Sequence, residues 1–131
     1  MTTYLLDANV LIALAVEEHD HHDRVSRWSS SIDRIAICPI VEGALVRYLI
    51  RIGEQLATAK DLLGSLRTQP RTVFWPDSIS YAEVDLARVR GHGQVTDAYL
   101  VGLATANTGV LATLDQGLAQ EWPDRALLVP A

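Results

Sequence analysis

Short apolar runs rich in β-branched residues alternate along the chain with longer stretches of helical periodicity. The short runs predict five strands, at residues 3–7, 35–38, 72–75, 110–113 and 127–129. The stretches between them predict seven helices, at residues 9–17, 20–30, 40–52, 54–67, 78–90, 96–107 and 115–120. Strands that alternate with helices are typical of a parallel sheet whose two faces are covered. We therefore predict an α/β fold, a three-layer α/β/α sandwich around a mostly parallel sheet.

Size and composition favour one globular domain over residues 1–131, since 49% of the residues are hydrophobic. No apolar run approaches the roughly 20 residues of a membrane-spanning helix. The apolar stretch at residues 10–16 is short and lacks a basic leader, which argues against an export signal. A chain with one cysteine and no such signal is expected in the cytoplasm. That cysteine, Cys38, is interpreted as a small core residue rather than as a nucleophile.

Four carboxylates interrupt stretches that are otherwise apolar or helix-forming, and they are Asp7, Glu42, Asp97 and Asp115. A lone charged carboxylate is expensive to bury unless a positive group compensates it. In open parallel sheets, binding sites form at the carboxyl ends of the strands. Asp7 and Asp115 lie at the ends of predicted strands, and Glu42 follows the strand at 35–38 by a few residues. The topology therefore places three of the four carboxylates at one edge of the sheet.

Helical spacing puts two of these carboxylates, Glu42 and Asp97, on the apolar faces of their own helices. The residues three, four and seven positions beyond each of them are apolar, namely Leu45, Val46, Leu49, Leu100, Val101 and Ala104. Structural carboxylates normally occupy the opposite, solvated face. Asp97 also lies in the first turn of its helix, where the positive helix end favours an anion. The preceding residue, Thr96, is a candidate N-cap.

Taken singly, each aspartate also has a structural explanation. Asp7 and Asp115 could cap the helices that follow them, and Asp97 could interact with the helix dipole. Glu42 lies too deep in its helix to be a cap, so caps explain the joint pattern poorly. Without a counter-ion, two carboxylates about 4 Å apart repel by about 4 kcal/mol at an effective dielectric constant near 20. A hard cation removes this repulsion.

The types of ligand indicate which cation the carboxylates would bind. Oxygen ligands without a nearby cysteine or histidine favour Mg²⁺ or Mn²⁺ over zinc. Such an ion can activate water for attack on a phosphodiester. The four carboxylates therefore indicate a divalent-metal site.

The net charge of −5 would disfavour binding to a nucleic acid, but it does not exclude a nucleic-acid substrate. Without the four proposed ligands the net charge would be −1. Residues 43–71 carry a local balance of +3, whereas residues 92–131 hold a single arginine against four acids. A basic patch beside an acidic centre is compatible with binding a polyanion. It is equally compatible with an ordinary solvated helix face.

Four segments together carry a resemblance to a known family, and they are Leu6–Leu11, Pro39–Arg47, Thr96–Leu100 and Ala112–Leu118. In this order and at these distances they resemble the PIN domain, and more narrowly its VapC-type toxin branch. The resemblance covers nearly the whole chain, and nothing at the four acidic positions departs from the family pattern. It implies that the fold is an α/β/α sandwich and that the activity is that of a metal-dependent endoribonuclease.

The resemblance also assigns roles to individual residues. It implies an acidic quartet that holds Mg²⁺ or Mn²⁺ and consists of Asp7, Glu42, Asp97 and Asp115. Asn9 and Thr113 match polar positions that line the site, through hydrogen bonds to the ligands or to water. The family usually forms homodimers and is silenced by a cognate VapB-type antitoxin whose tail blocks the site. Apolar residues of the helices at 40–52 and 54–67 are compatible with such partners, and equally with core packing.

Several other residues are weaker candidates for a role in function. Arg47 and Arg51 lie one turn apart and could bind phosphates or pair with Glu54. His92, between two glycines, could contact a substrate phosphate or have no role. The tryptophans could stack on bases but are expected in the core, and they are Trp28, Trp75 and Trp122.

We hypothesise that the chain is a Mg²⁺- or Mn²⁺-dependent endoribonuclease toxin, in which water attacks an RNA phosphodiester. One alternative is an aspartyl-nucleophile phosphatase, in which Asp7 would be the nucleophile and would become phosphorylated. That chemistry usually has a second acid two residues on, where this chain has Asn9. The other alternative is a non-catalytic module that binds RNA or a protein and uses a metal only for structure. Incubation with labelled RNA in magnesium and in chelator distinguishes cleavage from binding.

Overall fold

Five strands form one sheet in which every neighbouring pair is parallel. The computed structural model describes all residues from 1 to 131. The strands are β1 (Thr3–Leu6), β2 (Arg34–Ile37), β3 (Thr72–Phe74), β4 (Val110–Thr113) and β5 (Ala126–Leu128). The helices are α1 (Ala8–Ala15), α2 (His22–Ser30), α3 (Pro39–Arg51), α4 (Leu56–Thr68), α5 (Val95–Ala106) and α6 (Gln116–Glu121). These elements match five predicted strands and six of the seven predicted helices, with ends shifted by at most two residues.

The strand order is β3-β2-β1-β4-β5, so the chain reverses its direction of growth between β1 and β4. Helix α1 packs on α2 and α3, and α3 packs on α4, which makes one helical layer. Helix α5 packs on β1 and β4, and α6 packs on β4 and β5, which makes the other. The predicted three-layer α/β/α sandwich is confirmed. In sheets of this kind the reversal point is where ligands bind, outside the carboxyl ends of the strands.

The central strands β1, β2 and β4 are apolar because helices cover both of their faces. Their completely buried residues include Leu5, Leu6, Ala36, Ile37, Leu111 and Ala112. Cys38 is also buried, as predicted, and its burial raises the pKa of the thiol to about 11. The predicted core positions of the tryptophans are confirmed, since less than a tenth of each is exposed. None of the helices combines the length and the apolar character that a membrane span requires.

The helix predicted at residues 78–90 is wrong. The segment contains a single 3₁₀ turn, Tyr81–Glu83, and is otherwise irregular. Ser80 and Glu83 form a reciprocal capping box around this turn. The side chain of Asp85 then accepts a hydrogen bond from the backbone N–H two residues on, at 3.0 Å. Polar side chains that bind the local backbone compete with helix formation, which explains the failure of the prediction.

Tertiary packing also holds this segment in its irregular path. Ile79 and Val84 lie against Gly102 of α5, where an added Cβ would be 3.2 Å from the Val84 side chain. The hydroxyl of Tyr99 donates a hydrogen bond to the carbonyl oxygen of Ile79 at 2.9 Å. The segment is thus fixed on α5, and its last residues, 88–90, lie beside the first turns of α5 and α6.

The connection from α5 to β4 is tight. Thr108 takes a left-handed backbone conformation with φ of 59°, one residue after the C-cap Asn107. Gly109 follows. A glycine is required there because there is no room for a Cβ atom, and not because of its backbone angles. A Cβ there would lie 2.7 Å from the carbonyl oxygen of Thr3 and 2.7 Å from the Trp75 ring. The main chain of β1 therefore packs directly against this connection.

Replacing Gly109→Ala should lower the free energy of unfolding by about 1–3 kcal/mol, because the new methyl group must displace the main chain of β1. Urea unfolding measures the change. The control is Gly64→Ala in α4, where a Cβ meets no atom within 4 Å. Alanine favours a helix by about 0.5–1 kcal/mol over glycine, so the control should be stabilised. Similar effects of the two substitutions would contradict the close approach at Gly109.

Candidate metal centre

Asp7 lies where β1 ends and α1 begins, beside the end of β4, and is only 6% exposed. Its Oδ1 accepts a hydrogen bond from the N–H of Ala8 at 2.8 Å, so it caps α1. Its Oδ2 accepts one from the hydroxyl of Thr113 at 2.7 Å. Burial raises the pKa of Asp7, the two hydrogen bonds lower it, and the charge of Asp115 raises it again. Asp7 therefore caps α1 and also carries a negative charge that the protein compensates only in part.

Thr113, the last residue of β4, is completely buried and joins the ends of two strands. Besides donating to Asp7, its hydroxyl oxygen accepts a hydrogen bond from the N–H of Asp115 at 3.0 Å. Asn9 crosses the same gap, since its side-chain oxygen accepts a hydrogen bond from the N–H of Leu114 at 3.1 Å. These side chains add to the main-chain pairing of β1 and β4. The Thr113 hydroxyl and the N–H of Ala8 fix the orientation of the Asp7 carboxylate.

Asp115 begins α6 as its N-cap, and its Oδ1 accepts a hydrogen bond from the N–H of Leu118 at 3.1 Å. A Cβ on Gly117 would be 3.3 Å from the same oxygen. The glycine therefore leaves room for the carboxylate beside the first turn of α6. The residue is exposed, and only one of its carboxylate oxygens is bound to the backbone.

Asp97 lies in the first turn of α5 and is half-buried. Gln94 takes the N-cap position because a short 3₁₀ turn leads directly into α5, so the predicted capping role of Thr96 is wrong. Burial is the largest influence on the pKa of Asp97, and the charges of Asp7 and Asp115 add to it. Together they raise that pKa to about 6, with no hydrogen bond to lower it. Asp97 is thus the carboxylate that the protein compensates least.

Three carboxylates therefore influence one another across the reversal point of the sheet, and we term them the aspartate triad: Asp7, Asp97 and Asp115. Glu42 has different neighbours. Burial raises the pKa of Glu42, the positive charge of Arg67 lowers it, and the negative charge of Asp77 raises it. The structure thus brings three of the four predicted carboxylates together and leaves Glu42 in an adjacent group beyond the end of β2.

The triad offers only oxygen donors, which suit a hard divalent cation. No three aspartate, glutamate, histidine or cysteine side chains converge at coordination distances. Carboxylates without a counter-ion repel one another, which opposes such convergence. That repulsion contributes to the raised pKa values of Asp7 and Asp97. A divalent cation would remove it, so the chemistry of the donor set fits such an ion.

A pocket of about 300 Å³ lies beside the triad, between α5, α6 and the segment that precedes α5. Asp97 and Asp115 line it together with Arg88 and Arg90. The two arginines were not among the predicted site residues, because the helix predicted at 78–90 contained them. The sequence signal that could have found them is a pair of arginines separated by one residue, just before the glycines that precede α5.

The basic residues predicted to bind substrate do not line this pocket. Arg47 is exposed on α3, with its guanidinium 3.4 Å from the position that a Cβ of Gly43 would take. The guanidinium of Arg51 lies 5.8 Å from the centre of the Tyr48 ring. His92 is exposed in the short turn before α5. On geometry, Arg88 and Arg90 are better placed than these three.

Asp77 is a further acid at this edge that was not among the predicted site residues. It follows β3 at the carboxyl edge, close to Cys38 and Glu42, and burial raises its pKa. The rule that selected Asp7 and Asp115, an acid just beyond a strand, could have found it. Its position extends the row of acids along the edge from β4 to β3.

A family model described as the PIN domain matches residues 4–120 of this chain. The chain belongs to the PIN-domain family. One relative, ribonuclease VapC29 of Mycobacterium tuberculosis, is 51% identical over 129 residues, covering 98% of this chain and 97% of that protein. The resemblance to the VapC branch is thereby confirmed. VapC ribonucleases with a PIN domain generally depend on a divalent metal.

Two solved structures share the fold of this PIN-domain chain. Mycobacterium tuberculosis VapC20, a toxin that cleaves the sarcin–ricin loop, has a TM-score of 0.70 and 14% identity, covering 91% of this chain and 95% of that one. VapBC2 from Rickettsia felis, bound to a DNA fragment from its promoter, has a TM-score of 0.64 and 17% identity. It covers 96% of this chain and 98% of that one. At these identities the likeness concerns the fold.

In chelator, the stability of this PIN domain should fall as pH rises from about 4 to above 6. The folded chain holds a proton on Asp97 up to a pKa of about 6, whereas the unfolded chain releases it near 3.8. The folded state therefore binds more protons in this range, so raising the pH favours unfolding. Thermal unfolding of Asp97→Asn should show a flatter pH profile. The exposed Asp33→Asn is the control, and parallel profiles for Asp97→Asn and the wild type would contradict the charge coupling.

The hydroxyl of Thr113 should matter more than its methyl group. Thr113→Val keeps the shape but removes the hydrogen bond to the buried Asp7, so it should lower the free energy of unfolding by about 1–3 kcal/mol. Thr113→Ser keeps the hydroxyl and should lose less. Urea unfolding at neutral pH in chelator compares them, and a larger loss for serine than for valine would refute this role of the hydroxyl.

Proposed function

We propose that this chain, as a single PIN domain over residues 1–131, is an endoribonuclease toxin that hydrolyses RNA phosphodiester bonds with Mg²⁺ or Mn²⁺. The observation that carries the proposal is the aspartate triad, whose negative charge the protein compensates only in part and which lies at the reversal point of the sheet. The 51% identity to ribonuclease VapC29 over nearly the full length supports the same activity.

In this proposal the triad holds the ion, and Glu42 completes the acidic quartet from the neighbouring strand end. A bound Mg²⁺ or Mn²⁺ ion would polarise the phosphate and lower the pKa of the attacking water. Asp7 is the fixed ligand, because Thr113 and the start of α1 each hold one of its oxygens. Asp97 is free to turn both oxygens toward the ion, since no donor of the protein binds them.

Two further residues would support these ligands. Asn9 holds the start of the β4–α6 connection through the N–H of Leu114, which keeps Asp115 next to Asp7. Thr113 favours the ionised form of Asp7 by donating a hydrogen bond to it, and its own oxygen accepts one from the N–H of Asp115. Both residues would thus act on substrate only through the carboxylates that they orient.

We also propose a VapB-type antitoxin and a second copy of the chain as partners. Three apolar residues near the α3–α4 corner are strongly exposed: Ile50 at 40%, Ile52 at 50% and Leu56 at 71%. Adjacent exposed apolar side chains are typical of a protein interface. The structural likeness to VapBC2 supports an antitoxin as one user of such a surface. The RNA substrate would be met in the cytoplasm.

Asp7→Asn and Asp97→Asn should each lower RNA cleavage about 100-fold or more, because losing one ligand forfeits several kcal/mol of charge stabilisation. Labelled RNA is incubated with the purified protein in Mg²⁺ or Mn²⁺ and its fragments are resolved. The exposed Asp33→Asn should cleave like the wild type, and chelator should stop cleavage by both.

Other outcomes would assign the protein differently. Full activity of either triad variant would overturn the metal site. RNA that is bound but not cleaved, with and without chelator, would favour the non-catalytic module. A phosphorylated Asp7 recovered from the protein would favour the phosphatase.

A further inference from the structure

The pocket beside the triad carries acids and arginines on a continuous surface. Its acidic part consists of Asp97 and Asp115, and its basic part of Arg88 and Arg90. Glu121 and Trp122, from the end of α6, also line it. At about 300 Å³ it lies at the lower end of the volumes of small-ligand sites, about 300–1,000 Å³. That size suits one nucleotide rather than a helix of a protein partner.

The two arginines are held in place by the end of α6. The guanidinium of Arg88 lies 4.5 Å from the centre of the Trp122 ring and donates a hydrogen bond to the carbonyl oxygen of Glu121 at 2.7 Å. Arg90 lies 3.4 Å from both carboxylate oxygens of Glu121, and its side chain is 75% exposed. The backbone N–H of Arg90 donates to the side-chain oxygen of Gln94 at 2.6 Å. The segment is thus fixed, while both arginines remain exposed to solvent.

We propose that this pocket binds the nucleotide next to the cleaved phosphate of RNA, with Arg88 and Arg90 contacting its phosphate. The inference rests on the proposed function and extends it to how the substrate is held. The acids would hold the cation at the cleaved phosphate, and the next phosphate of the same strand would meet the arginines. Arginine binds phosphate well because its planar guanidinium donates two parallel hydrogen bonds.

A protein segment fits the same surface less well. Its acidic side chains would meet Arg88 and Arg90 but would also face Asp97, Asp115 and Glu121. A basic segment would have the opposite conflict with the arginines. An RNA strand carries a phosphate at each nucleotide, so one phosphate can meet the cation at the acids while its neighbour meets the arginines. The alternation of charge along the pocket therefore favours RNA.

A substitution of Glu121 should change the RNA affinity in the opposite direction to a substitution of the arginines. Glu121 pairs with Arg90 and adds a negative charge to the pocket, so it competes with a phosphate for the same guanidinium. Glu121→Gln should therefore strengthen RNA binding. The control is Asp33→Asn, which removes one exposed acid at the amino edge of the sheet. A purely structural role of the Arg90–Glu121 pair would not predict tighter binding.

Binding is measured by fluorescence anisotropy with a short single-stranded RNA in Mg²⁺, on the background Asp7→Asn, which should slow cleavage about 100-fold or more. Arg90→Gln and Arg88→Gln should each weaken binding about tenfold. Each should also reduce the slope of log affinity against log salt by about 0.7, the value for one lost phosphate contact on a single strand. Arg34→Gln removes the same charge at the exposed start of β2 and should leave both quantities unchanged.

Thermal unfolding is recorded for every variant, because Arg88 packs on Trp122. If Arg88→Gln unfolds early, the result for the exposed Arg90→Gln decides. Unchanged RNA affinity and salt slope in Arg90→Gln would overturn the inference and leave the pocket to another ligand, such as a segment of a protein partner. Weakening by Arg34→Gln equal to that by Arg90→Gln would also overturn it, since the effect would then be one of net charge.

The two proposals fail separately. If the wild type cleaves RNA and Arg90→Gln binds it unchanged, the pocket assignment fails and the ribonuclease stands. If the wild type never cleaves RNA but binds it through Arg88 and Arg90, the ribonuclease fails and the pocket assignment stands as an RNA-binding site.

Discussion

Like-charged carboxylates held close together at one edge of a parallel sheet are the constraint on which the rest of this structure depends. Asp7 is almost fully buried, and Asp97 is held near it without a single hydrogen-bond donor. Such an arrangement opposes folding at neutral pH, because burial and mutual repulsion both disfavour the charged forms. The surrounding fold stabilises this arrangement in two ways. The buried Thr113 donates a hydrogen bond to Asp7, and Asp7 and Asp115 cap the starts of α1 and α6. A divalent cation is the simplest group that would turn this unfavourable charge into a stabilising one.

The strand order explains why residues more than a hundred positions apart meet at this edge. Strands β1 and β4 are neighbours although most of the chain separates them. The chain reverses its direction of growth between them, which leaves a crevice at their carboxyl ends that no crossover covers. Asp7 and Asp115 follow these two strands, and α5 brings Asp97 over the same crevice. Glu42 follows β2, one strand away, and there it meets Arg67 rather than the triad.

Much of this arrangement could be predicted from sequence because it follows from periodicity and topology. Apolar runs separated by helical stretches predicted the parallel sheet. Acids just beyond the ends of strands predicted the edge of the sheet at which the site lies. The segment at 78–90 could not be predicted in that way. Its apolar spacing suits a helix, but Ser80 and Asp85 bind the local backbone while Ile79 and Val84 pack on α5. That error also hid Arg88 and Arg90, whose position depends on tertiary contacts with α6.

Locating the cation tests the role of the triad most directly. Crystals of the wild-type protein grown with Mn²⁺ would be measured at a wavelength where manganese scatters anomalously. If the triad holds the cation, an anomalous peak is expected at the carboxylate of Asp97 and of at least one other member of the triad, with Glu42 at or near the same ion. A peak elsewhere, or triad oxygens that contact only water in the presence of excess Mn²⁺, would contradict that role.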